Sequence, residues 1–182
     1  MAPTLATLIL DARRAGPRLP RELAVVAPLA DGQALELVVL DDTGDRRVAG
    51  IARRYRARHL PLSPACLGER LSLAIPRTAG EVLVFPVLGC VTAAPALLRL
   101  ARRVAAGELD AVSLTDARPR LVDRLLGRPR IDGEVGVCVK RAWYERIGGC
   151  DPRLDRDALP DLLTRLRHCG ARIVPAQTIE KA

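Results

Sequence analysis

Glu36-Leu-Val-Val-Leu-Asp41-Asp42-Thr43-Gly44-Asp45 carries an aliphatic run directly into a turn that holds three carboxylates. From Leu35 to Leu40 apolar residues occupy nearly every position, the pattern of a strand covered on both faces rather than one. Beyond it, Val48, Ile51, Ala52 and Tyr55 recur at three- and four-residue spacing, with Arg46, Arg47, Arg53 and Arg54 available for the outer side. Asp45 to Ala57 therefore reads as one amphipathic helix. A buried strand followed at once by a helix is the repeating unit of an α/β sheet, and such sheets place their ligands beyond the carboxyl ends of the strands. The acidic turn is the first place to look for chemistry.

The same alternation extends in both directions. Thr4 to Leu10, Glu81 to Val87, Asp110 to Leu114, Val135 to Val139 and Ala171 to Pro175 are further strand candidates. A helix is predicted after Thr92, whose hydroxyl can cap it, running through Leu97, Leu98, Ala101 and Val104 to Gly107. Another spans Arg141 to Ile147 and stops at Gly148-Gly149. The last carries Leu159, Leu162, Leu163, Leu166 and Cys169 on one stripe before Gly170. No repeat or linker interrupts the pattern. The expectation is a single α/β domain over residues 1–182, with a mainly parallel sheet covered by helices on both faces.

Composition narrows the function. With 182 residues, 49% hydrophobic and 27% charged, the chain has the apolar content to build a core, which excludes disorder for most of it. The net charge of +8 is almost all arginine, Lys140 and Lys181 being the lysines. In a chain so rich in Ala, Arg, Leu, Pro and Gly, compositional bias accounts for that charge without an anionic partner. Aromatic content of 2% leaves few rings to stack on bases, so nucleic-acid binding is the weakest of the function classes. Cys66, Cys90, Cys138, Cys150 and Cys169 form no CxxC pair, and His59 and His168 stand far apart, which argues against zinc. All five cysteines read as core residues of a protein in a reducing compartment. Asp11, Arg13 and Arg14 cut the first apolar run too early for a leader peptide. Pro86, Gly89 and Pro95 interrupt the longest uncharged stretch, Val82 to Leu98, and disfavour a membrane span. A cytoplasmic location is expected.

The carboxylates of the turn admit two roles. Asp41 and Asp42 can accept hydrogen bonds from a base or ribose, or share a divalent cation; equally, Asp and Thr here can serve as ordinary caps of the following helix.

Several segments, in order, resemble family-two glycosyltransferases of the GT-A fold: residues 36–45, Ile51-Ala-Arg-Arg-Tyr55, Thr78-Ala-Gly-Glu-Val-Leu-Val-Phe85, and Gly136 to Leu154 with its Gly148-Gly149-Cys150-Asp151 turn. The similarity covers nearly the whole chain. It is strongest to a short bacterial branch in which a Leu- and Arg-rich stretch precedes a Gly-Asp-Gln segment; Leu121 to Arg130 and Asp132-Gly133 stand in that place. The resemblance implies a nucleotide-binding half over 1–90, an acceptor-side half over 91–182, and a nucleoside diphosphate sugar as partner. It assigns Asp41 and Asp42 to the nucleoside, places Asp132 at the donor, and makes Asp157, aligned with one extra residue, the base toward an acceptor hydroxyl. Arg70 falls near a family arginine and can meet the diphosphate; otherwise it is a solvated helix charge. Asp157 can instead cap the last helix. Leu121, Leu125 and Leu126 beside Arg124 and Arg128 can rest on a membrane that holds a lipid-linked acceptor, or simply cover the sheet.

One departure matters most. Where the family carries an Asp-X-Asp motif for a divalent cation, Mn or Mg, this chain reads Phe85-Pro86-Val87-Leu88-Gly89-Cys90. The usual ligands are absent, so charge developing on the leaving group falls to arginines or helix amides. Cys90 reads as a packed thiol. The leading expectation is glycosyl transfer, or a retained nucleotide-sugar site. Its rival is a noncatalytic binding or scaffold protein on the same fold.

Overall fold

The computed structural model describes residues 4–30, 35–88, 94–115 and 135–176. Seven strands form one sheet: β1 (Ala6–Asp11), β2 (Leu35–Asp41), β3 (Arg58–Pro61), β4 (Val82–Phe85), β5 (Ala111–Thr115), β6 (Val135–Lys140) and β7 (Ile173–Pro175). Their spatial order is β3-β2-β1-β4-β6-β5-β7. All pairings are parallel except those of β6, which runs antiparallel to both β4 and β5. The sheet is thus mixed and mostly parallel.

Helices cover both faces, as the two-sided strands require. On one face α1 (Ala12–Ala15), α2 (Leu19–Ala30), α3 (Arg46–Arg54) and α5 (Ala94–Ala105) bury Leu23, Val26, Ala52 and Val104 against Leu8, Leu10, Val39 and Val84. On the other, α4 (Leu67–Ala74), α6 (Arg141–Arg146) and α7 (Ala158–His168) bury Leu71, Tyr144, Leu162 and Leu166 against Ile9, Val38, Leu40 and Leu83. Neighbouring strand residues thus belong to different cores, the period-two consequence of the pleat.

Each predicted strand is present, with ends shifted by a residue or two. Three helices, α1, α2 and α4, and one strand, β3, come in addition. In α2 the apolar stripe of Leu19, Leu23 and Val26 is sound, but Pro20 and Pro28 mask it; the first is harmless in an opening turn and the second sits near the end. The edge strand β3 buries a single residue, Leu60, and so carries no apolar run. The cysteines divide: Cys138 and Cys150 are buried, Cys66 is half-buried, and Cys169 is exposed at the end of α7, against the expectation that all are core. Burial pushes the Cys138 and Cys150 thiols up to about 12, so both stay protonated. Thr92, Cys90 and Leu121 to Arg130 lie outside the described residues.

Helix α4 is held unusually close to the loop before α7. The Gly68 amide donates to the Leu154 carbonyl at 2.9 Å, and a Cβ at Gly68 would collide with the backbone carbonyl of Asp151. Backbone on one side and a helix on the other leave no flexible group to yield. Gly68→Ala is expected to destabilise the protein by about 1–3 kcal/mol, the range for overpacking, read as a lower urea midpoint at unchanged slope.

Candidate functional site

Strands β1 and β2 pair in parallel with Asp11 beside Leu40, so both end at one edge, β1 at Asp11 and β2 at Asp41 followed by Asp42. From the opposite face α4 sends Arg70 beneath them. Its side chain is fully buried, which rules out the solvated-charge reading. Nη1 donates to Asp42 Oδ1 at 2.5 Å, and Nη2 lies 2.8 Å from Asp11 Oδ2. Arg13, on α1, closes the other side of Asp42, its Nη2 2.5 Å from Oδ2. Asp155 approaches from the loop before α7, 3.8 Å from Arg70 Nη2. Arg70 Nη2 and Asp11 Oδ2 meet at an angle outside hydrogen-bond geometry, and Arg70 Nε has no hydrogen-bond partner among the described residues. A buried guanidinium with spare donors is held here by charge more than by a complete set of hydrogen bonds.

The carboxylates of the turn have separate tasks. Asp45 caps α3, accepting from the Arg47 amide at 2.9 Å. Asp42 caps nothing; it is the buried counter-ion of Arg70 and Arg13. Asp41 faces away from them. It accepts from the Thr43 amide and hydroxyl at 3.0 and 2.7 Å, and His59 Nε2 lies 2.8 Å from its Oδ2. Burial alone would raise the Asp41 carboxyl, but the hydrogen bonds from Thr43 and His59 outweigh it and hold it below the usual range. Asp11 goes the other way: burial raises it, against the pull of Arg70.

On the acceptor side, Asp157 is exposed, and its side chain makes no capping hydrogen bond to α7, so the capping role falls away. Asp155 is the acidic residue that the fold brings to Arg70, and it also accepts from the Leu67 amide at 3.0 Å, capping α4 from 88 positions away. Asp132 and Gly89 lie outside the described residues. Asp11, Arg13 and Asp155 are the site residues that the sequence reading passed over. The rule that singled out Asp41 and Asp42, residues just after a strand, applied to the first strand would have reached Asp11-Ala12-Arg13-Arg14.

Between these strand tips lies a small cavity of about 30 Å³, room for about a water molecule or two. Ile9, Leu40, Leu71, Phe85, Pro86 and Leu88 make its wall largely apolar, with Asp11 and Arg14 at its polar side. Phe85 to Leu88 offer no side-chain ligand, and among the described residues no three His, Cys, Asp or Glu form a group able to hold a metal ion. The described residues do not fit a divalent cation.

No protein-family model and no curated protein matches the sequence. Solved structures do match. A mannosyltransferase from Pyrobaculum calidifontis, in complex with GDP-Man and Mn2+, superposes with a TM-score of 0.70 at 21% identity over 96% of this chain. Glucosyl-3-phosphoglycerate synthase from Mycobacterium tuberculosis, in complex with phosphoglyceric acid, gives 0.70 at 18% identity over 93%. The chain has the GT-A fold. It spans 55% of the length of the mannosyltransferase and 68% of the synthase. Among the described residues no helix is long and apolar enough to cross a membrane.

Replacing Arg70 tests the buried cluster. Arg70→Met leaves Asp11 and Asp42 buried without their shared cation and is expected to cost about 3–5 kcal/mol, measured by urea unfolding. Adding Asp11→Asn and Asp42→Asn should recover much of that loss, because it is the unpaired charge that is expensive. The Asp41 carboxyl gives a pH signature. Its folded value lies below the unfolded one, so its contribution is fully present above about pH 4 and fades as pH falls through the folded value. Thr43→Ala should therefore lower the urea midpoint at pH 7, with the gap to the parent closing in acid.

Proposed function

We propose that this GT-A domain binds a nucleoside diphosphate sugar across the carboxyl ends of β1, β2 and β4 and transfers the sugar to an acceptor hydroxyl. The observation that carries the reading is the charged cluster of Asp11, Asp42, Arg13 and Arg70 at the tips of β1 and β2. It sits in a fold whose solved examples hold GDP-Man or UDP-glucose. In this reading Asp41, 7% exposed beside the exposed Thr43 and held below the usual carboxylate range, accepts from the nucleoside. Asp42 and Arg70 act one layer deeper. They position the strand tips, and the diphosphate lies toward the arginines. Asp132 belongs to the donor side of the same site.

A base must reach the acceptor hydroxyl within hydrogen-bond distance. Asp157, exposed at the start of α7, is the proposed base, and Asp155, half-exposed and next to Arg70, is the neighbour that orients this loop. An acceptor presented at a membrane surface remains a proposal resting on the leucine- and arginine-rich residues 121–130 alone.

A second reading has its own support: Phe85 to Leu88 carry no carboxylate, and a domain that binds the donor without turning it over fits that stretch equally well. The two differ in product. Thermal denaturation with UDP, GDP, UDP-glucose and GDP-mannose, in the presence of Mn2+, should show a raised melting temperature for at least one ligand, since binding to the folded state alone stabilises it. No rise with any of them overturns the reading. Where a nucleotide sugar does bind, its turnover to free nucleoside diphosphate, lost in Asp157→Asn, marks a transferase; binding with no turnover marks the noncatalytic domain.

A further inference from the structure

A nucleoside diphosphate brings concentrated negative charge, which a site must meet with a metal ion, guanidinium groups or oriented amides. Complexes of the mannosyltransferase and of the synthase contain Mn2+. In this chain Phe85 to Cys90 holds no carboxylate, and among the described residues Asp11 and Asp42 at the neighbouring strand tips are already committed. Asp42 has no exposed side-chain surface and is clasped by Arg70 and Arg13; Asp11 is nearly as buried and faces Arg70. A cation approaching Asp42 meets the Arg13 guanidinium before it meets the carboxylate.

Arg13 is the outward part of the cluster. Its side chain is 44% exposed while the Asp42 beneath it is covered, and its Nη1 makes a long contact of 3.4 Å to the Ala65 carbonyl. The next residue, Arg14, is half-buried and lines the cavity whose far wall is Phe85, Pro86 and Leu88, the place where a metal-holding motif would stand. Two adjacent arginines thus flank the position of the missing ligands, one over Asp42 and one beside the end of β4. Arginine suits this task because its planar fork binds phosphate oxygens bidentately and does not lose its charge.

Building on the proposed nucleotide-sugar site, we infer that its diphosphate is bound without a divalent cation, with Arg13 and Arg14 taking the place of the metal. Asp42 then has a second purpose. It holds Arg13 over the site, while Arg70 pairs with Asp42 from below.

The experiment is binding of UDP, GDP and the parent nucleosides to the intact protein, by calorimetry and thermal shift, once in excess EDTA and once in Mn2+. The expected result is equal affinity for the favoured nucleoside diphosphate in both, at least tenfold tighter than for its nucleoside. Arg14→Gln should reduce that affinity tenfold or more in EDTA, and Arg13→Gln similarly. A nucleoside diphosphate that binds only with Mn2+ overturns the inference and leaves the nucleotide site standing. One that binds in EDTA no tighter than its nucleoside also overturns it, and this comparison needs no variant to fold. Failure of every nucleotide in both conditions removes the nucleotide site itself and the inference with it.

Discussion

The Arg70 side chain has no solvent exposure, nor has that of Asp42 against it, and the site is arranged around that buried pair. A buried guanidinium is tolerable only beside anions, and here they arrive from separate parts of the fold: Asp11 from the end of β1, Asp42 from just beyond β2, and Asp155 from the loop before α7. Each can reach Arg70 only if its strand or loop ends at the right level. The ion cluster therefore fixes where the parallel strands stop, and with them the height of the surface on which any ligand would rest. Apolar side chains of similar volume would hold the layers together at least as well in energy. What they would not supply is a carboxylate under Arg13.

The floor beneath this cluster is apolar. Ile9, Leu40, Leu71 and Phe85 close the space between the strand tips to a volume of about 30 Å³, so a nucleotide sugar in the proposed site would have to lie over the tips, for want of room between them. That geometry changes which residues count. On the upper rim, Thr43 and His59 around the largely buried Asp41 on one side and Arg13 on the other are the groups that the proposed ligand would reach first. Groups below act through them.

The strands and most helices were legible because burial on both faces writes itself into the sequence as aliphatic runs, and α3 and α7 because their stripes have helical period. Helix α2 was hidden by its prolines, and β3 by having one buried residue. At the site, the acidic turn stood out from composition alone, but the division of labour within it did not. Asp41, Asp42 and Asp45 are close to interchangeable on paper; partners distant in sequence, Arg70 and Arg13 for Asp42 and His59 for Asp41, separate them. Asp155 and Asp157 differ by two positions, and only the docking of their loop on α4 decides which one meets Arg70.

That docking joins the two halves of the chain. Helix α4 lies in the first half, yet its opening turn is completed by the second: the Leu67 amide by the Asp155 carboxylate, the Gly68 amide by the Leu154 carbonyl. Without these partners the first amides of α4 would be unsatisfied, since Cys66 provides no side-chain cap. The same short loop carries Asp155 to Arg70 and leads into Asp157. The strand tips and this loop are thus tied through one backbone hydrogen bond, one carboxylate cap and one shared arginine. In the proposed function, a displacement of Arg70 at the nucleotide surface would be felt in the loop from which the proposed base projects, a direct mechanical link between the two sides.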